Sequence, residues 1–91
     1  MSVPLLLDKY RANIVIGILY SGSGQDAAKK LEKAIKELKR KKLGTDIIIS
    51  FIDKIINQLQ RVYDMTSDTF KWSNISVAIL TLTQIKAQLS I

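Results

Sequence analysis

The chain contains neither cysteine nor histidine. The first absence excludes disulfide scaffolds and thiolate metal sites. The second removes the commonest metal ligand and the commonest general base. Serine and threonine hydroxyls are plentiful, but no imidazole is present to activate them. Acidic residues are few, eight Asp and Glu against 14 Lys and Arg. Asp8, Asp26, Asp46, Asp53, Asp64 and Asp68 are scattered over cap positions and polar faces. No two of them fall three or four residues apart within one expected helix. Asp64 and Asp68 have that spacing but straddle a helix end and a loop. Neither paired-carboxylate acid–base work nor a carboxylate metal site is therefore expected. The mainly apolar stretch at residues 12–20 is too short to span a bilayer. The Ser21-Gly22-Ser23-Gly24 segment behind it makes a poor leader-cleavage site. The expectation is a cytoplasmic, non-enzymatic protein with no metal, no cofactor and no small-molecule substrate.

What remains is apolar and basic. At 91 residues, 47% hydrophobic and 24% charged, the chain reads as one globular domain, residues 1–91. A core of that size is small, so association with further copies is a reasonable expectation. The pI near 9.7 favours acidic partners, DNA or RNA ahead of an anionic membrane surface.

The charge is concentrated. Eight bases and two acids lie between Lys29 and Lys42, a surplus equal to the +6 of the whole chain. Residues 26–44 also carry the clearest helical pattern, and a helix is expected over about residues 25–43. At about 100° per residue, Lys29, Lys33, Lys36 and Arg40 fall on one stripe. Ala27, Leu31, Ala34, Ile35 and Leu38 fall on the opposite face. Ser23 or Asp26 suits the start of this helix, and the basic run suits its C-terminal end. Gly44 reads as its stop, and Glu32–Lys36 and Glu37–Lys41 as i, i+4 pairs.

Three further helices are expected. Residues 4–20 open with Pro4 in a first turn and become apolar nearly all round, with Leu6, Leu7, Tyr10, Ile14 and Ile18 on one face. Residues 45–64, capped by Thr45 or Asp46, hold a 3.6-residue period through Ile48, Phe51, Ile52, Ile55, Ile56, Leu59, Val62 and Tyr63. Residues 65–73 read as a loop whose Phe70 and Trp72 fold back as a lid. Residues 74–90 carry the stripe Ile75, Ala78, Ile79, Leu82, Ile85 and Leu89. The back of this last helix is Ser, Thr and Gln with one charge, Lys86, which is unusual for a solvated face.

Four elements of similar length with short connections describe an all-α, up-down-up-down four-helix bundle. The competing reading is a small α/β domain with a βαβ unit. In it residues 13–20, 46–51 and 76–83 are strands, and Ser21–Gly24 is a nucleotide-binding turn. The glycines do not follow the G-x-G-x-x-G pattern and no Walker Lys-Ser or Lys-Thr follows, so a flexible helix–helix connection is the better account.

Two functional readings follow. One is a structural, self-associating protein: a homo-oligomer, or a small subunit of a larger protein complex, joined by protein–protein interaction through Val15, Ile16, Leu19, Val77, Leu80 and Ile91, with the basic helix facing an anionic partner. The other is a sequence-nonspecific nucleic-acid-binding module using Lys29, Lys33, Lys36, Lys39, Arg40, Lys41 and Lys42. Lys outnumbers Arg seven to one in that segment, and no aromatic or amide side chain interrupts it. Base readout is therefore not expected.

Overall fold

A computed structural model describes the backbone of residues 3–90 and the side chains of residues 7–90. These residues form four helices and no strand: α1 (Val3–Leu19), α2 (Gly24–Arg40), α3 (Thr45–Met65) and α4 (Thr69–Leu89). The fold is the all-α four-helix bundle, and the βαβ alternative does not hold. Each expected strand lies inside or continues a helix, residues 13–20 in α1, 46–51 in α3 and 76–83 in α4. Their β-branched residues are accommodated because helix stability here comes from burying a broad apolar face, which overrides propensity.

Helix direction alternates along the chain. Lys30 of α2 reaches the Gly17 carbonyl of α1 at 3.3 Å, and the Tyr10 hydroxyl reaches the Ala34 carbonyl at 3.5 Å. Lys86 pairs with Asp53, and Trp72 bonds to Tyr63, so α3 and α4 are also antiparallel. Alternation does not make every sequence neighbour a spatial one. α4 lies between α2 and α3 and packs extensively on both, while α2 and α3 scarcely touch despite their four-residue connection. α1 lies across the other three. Two layers account for a Cα envelope of 37 × 30 × 20 Å, since packed helices sit about 8–10 Å apart. The contact with three neighbours explains why α1 is apolar nearly all round. It also corrects one interface expectation. Val15 is a core residue, buried with Ile18 against Leu31, Ile52, Leu59, Ile75 and Leu82.

Three helix ends depart from expectation: the stop of α2, the cap of α3 and the start of α4. Ser23 caps α2 as its sequence suggests, with its Oγ accepting from the Asp26 N–H at 3.1 Å. Gly44, however, does not stop α2. That helix closes at Lys41, and Lys42 takes the left-handed conformation at φ 58°. Gly44 is instead the N-cap of α3, with no side-chain bond from Thr45 or Asp46 in that role. α4 starts at Thr69, because Asp68 caps it through Oδ1, which accepts from the N–H groups of Phe70 (2.9 Å) and Lys71 (3.4 Å). The long loop expected at residues 65–73 is thus mostly helix. Trp72 does fold back: its indole N–H donates to the Tyr63 carbonyl at 3.0 Å and its ring packs on Tyr63 at 5.6 Å. Phe70 stays exposed.

The two connections that matter most for the core meet at one end. Asn74, 1% exposed, donates its Nδ2 to the carbonyls of Ser21 (2.9 Å) and Ile18 (3.4 Å). A helix C-terminus leaves its last carbonyls without partners, so α4 supplies the cap for α1. The Lys30 ammonium adds to it through the Gly17 carbonyl and Ser21 Oγ (3.2 Å). Beside this, Gly24 opens α2 against α4. A Cβ there would stand 2.7 Å from Val77 Cγ2 and 3.1 Å from Val77 Cβ. Gly24→Ala is therefore expected to lose about 1–2 kcal/mol, despite the better helix propensity of alanine, because the helices must separate. Chemical denaturation checks the value, and adding Val77→Ala should recover part of it.

Tyr10 sits where α1, α2 and α3 converge. Its ring stacks on Phe51 at 6.0 Å, and the Lys41 ammonium lies 5.9 Å from its centroid. Burial, and next the Glu37 charge, raise its phenol above the ordinary 10.0. A raised folded pKa means that the folded state holds the proton more tightly. This contribution is complete below pH 10 and is lost as pH rises through the folded value. Tyr10→Phe should flatten the alkaline end of the stability–pH curve at little cost near neutrality, since the hydroxyl bond is long.

Candidate nucleic-acid interface

The outer face of α2 follows directly from its period. Ala27, Leu31, Ala34, Ile35 and Leu38 are all buried, which fixes the helix's rotation and turns the lysine stripe to solvent. Lys29, Lys33, Lys36, Lys39, Arg40, Lys41 and Lys42 are all exposed. From Lys29 to Arg40 the stripe runs about 16 Å along the axis.

These cations differ in how committed they are. Arg40 bonds to Glu37 at 2.9 Å, so the i, i+3 pair forms where a Glu37–Lys41 pair was expected. Lys41 leans over Tyr10. Lys30, which lies off the stripe, is engaged with Asp26 at 3.3 Å and with the end of α1. Among the described residues no carboxylate lies within pairing distance of Lys29, Lys33, Lys36, Lys39 or Lys42. An ammonium group left in water retains its full charge for a partner, and exposed pairs would in any case hold it only weakly.

The structure adds a second wall that the sequence reading did not include. α4 runs alongside α2 in the same direction. Between them lies a groove of ≈ 240 Å³ bounded by Glu32, Ile35, Lys36 and Lys39 on one side and by Thr81, Gln84, Ile85 and Gln88 on the other. The signal for it was the uncharged back of α4. That face carries no acid although it lies beside Lys36 and Lys39, and Lys86 turns away from it to Asp53 at 2.7 Å.

The apolar interface expectation divides. Ile16 (55% exposed) and Leu80 (60% exposed) project into solvent. Val15 belongs to the core, while Leu19 and Val77 are half-buried, Leu19 against the core and Val77 against Gly24. Ile91 lies outside the described residues. Leu80 also borders a second, larger groove of ≈ 620 Å³ between α3 and α4, with Ile79, Tyr63 and Gln60. No helix among the described residues is long and apolar enough to cross a membrane. No protein-family description matches the chain, and no curated protein or solved structure matches it either.

Proposed function

We propose that the protein is a non-enzymatic helical binding module that holds the phosphate backbone of duplex DNA or RNA against the outer face of α2, without reading base sequence. The observation that carries this reading is the row of exposed lysines, Lys29, Lys33, Lys36 and Lys39, none of them paired with a carboxylate among the described residues. A row of ammonium groups on a straight helix matches a polyanion, and each phosphate that it neutralises releases counterions. Lysine is a point charge without the planar fork that recognises guanine, so the contact positions the duplex and does not discriminate bases. The groove beside the row is lined by no aromatic residue, so a single strand would find no stacking platform there.

The test is fluorescence anisotropy with a short mixed-sequence duplex at several salt concentrations. Binding should fall steeply with salt. Lys29→Glu combined with Lys33→Glu and Lys36→Glu should abolish it while the helical circular dichroism is kept. Unchanged binding by this triple variant would reject the site.

Self-association is a second reading, supported by Ile16, Leu80 and the α3–α4 groove. Apolar contacts are not screened, so an oligomer built on them persists at high salt. Light scattering at low and high salt separates the two readings. A mass well above that of the monomer at both, lost in Leu80→Glu, would favour assembly.

A further inference from the structure

We infer that the α2–α4 groove is the working part of this interface, with Gln84 and Gln88 of α4 as neutral hydrogen-bonding contacts to the same duplex backbone that Lys36 and Lys39 neutralise. This rests on the reading proposed above and extends it to a second helix.

Three observations lead there. First, Lys36 and Lys39 are the lysines of the stripe that border the groove, facing Gln84, Gln88 and Thr81 across it. Second, both glutamines are exposed, and neither side chain makes a hydrogen bond to another described residue within 3.5 Å. Among the described residues nothing competes with an outside acceptor for their amide donors. Third, α4 contains no Asp or Glu at all. Solvated helices are usually covered by charge of both signs, and an acid at position 81, 84 or 88 would repel a phosphate at the lysines. The α4 wall, with donors and no negative charge, is complementary to an anion; the groove's one acid, Glu32, lies on the α2 wall one turn before Lys36, so the phosphate is held at the Lys36–Lys39 end, beside Gln84 and Gln88. Amide side chains are among the groups that contact phosphate and sugar oxygens, fixing register without sequence information. The two parallel helices thus divide the work: α2 supplies charge and α4 supplies directional donors.

The distinction is measurable because the two kinds of contact respond differently to salt. A lysine contact contributes both affinity and salt dependence. A neutral amide contact releases no counterion, so it contributes affinity alone. Gln84→Ala combined with Gln88→Ala is expected to weaken duplex binding by about tenfold, from two hydrogen bonds of ordinary strength, with the slope of log K against log salt unchanged. Lys36→Gln combined with Lys39→Gln should lower both, the slope by about 1.8 for two contacts. Asn57→Ala with Gln60→Ala, exposed amides on α3, serves as the control and should bind as the parent does.

Four outcomes decide the matter. Weakening at constant slope by the α4 pair alone establishes the groove. Full binding by the α4 pair, with binding still lost in the lysine variants, overturns the groove and leaves the α2 interface standing. A slope change in the α4 pair as large as in the lysine pair would show that the glutamines act only by displacing lysines, and overturns their assignment as contacts. Absence of duplex binding by the parent protein overturns the interface and the groove together.

Discussion

Asn74→Asp is expected to remove about 3–5 kcal/mol of stability at neutral pH, enough to unfold a domain of this size. The site explains the magnitude. Asn74 is fully enclosed, and its amide donates to the carbonyls of Ser21 and Ile18. A carboxylate of the same shape has no donor, so two attractive contacts become two repulsive ones in a place that water does not reach. Asn74 Oδ1 already lacks a partner among the described residues, so the second carboxylate oxygen would find none either. The Lys30 ammonium stands 3.2 Å from Ser21 Oγ at this end of α1, but Asp26 holds it at 3.3 Å, and the Lys71 ammonium lies over the Tyr20 ring at 5.3 Å. Burial beside carbonyl oxygens raises the pKa of the introduced carboxyl above the ordinary value of about 3.9. The folded variant then binds its proton more tightly than the unfolded chain does. Its deficit relative to the parent should shrink as pH falls through that raised value, and be smallest below about pH 3.9. Asn74→Leu separates the terms. It introduces no charge, and Ile18's carbonyl keeps the Ser21 N–H at 3.2 Å. Only the Ser21 carbonyl is orphaned, a loss of about 1–3 kcal/mol with no dependence on pH. Urea denaturation of both variants at pH 7 and pH 4 checks the pattern. An Asn74→Asp deficit independent of pH would show that the carboxyl reaches solvent.

The helices were legible wherever one face had to be buried. α2 and α3 have clean apolar stripes, and their rotation, core residues and solvent faces follow from periodicity alone. Ser23 was legible as a cap because its bond is local. What the sequence could not carry was the neighbour relation. A short α2–α3 connection suggests adjacent helices, yet α4 intervenes, and no local pattern records that. The consequences spread from this one fact. Val15 looks surplus on an isolated helix and is core on a helix with three neighbours. The amide side chains of α4 look like an idle back face until α2 is set beside them. Asn74 reads as the polar start of a helix, whereas it caps another helix more than fifty residues earlier in the chain. The start of α4 was misplaced for a different reason. Thr66, Ser67, Asp68 and Thr69 have turn chemistry and cap chemistry at once, because the same short side chains serve both. In the structure Asp68 takes the cap role, and Trp72, one turn into the helix, packs on Tyr63.

The lysine stripe is the part of the proposal whose loss should be largest in binding. Replacing Lys29, Lys33 and Lys36 by glutamine removes three positive charges and introduces no repulsion. If each touches one phosphate, the slope of log K against log salt should fall by about 2.7, and affinity at 0.1 M salt by two to three orders of magnitude. Extrapolated to 1 M salt, where counterion release contributes little, the variant and the parent should nearly coincide. A solvated face predicts something else. Exposed lysines that touch nothing shift the long-range potential only, and their removal would lower affinity modestly with little change in slope. Choice of residue sharpens the contrast. Arg40 lies on the same stripe but is bonded to Glu37, so Arg40→Gln releases an acid as well as removing a base. The local charge still falls by one unit, but the liberated Glu37 stands at the same end of the stripe. If the phosphates follow the unpaired lysines, Arg40→Gln alone should change the slope by less than one contact's worth. A full unit of change from Arg40, and none from Lys29, would move the interface to the C-terminal end of α2, where Lys39, Lys41 and Lys42 gather.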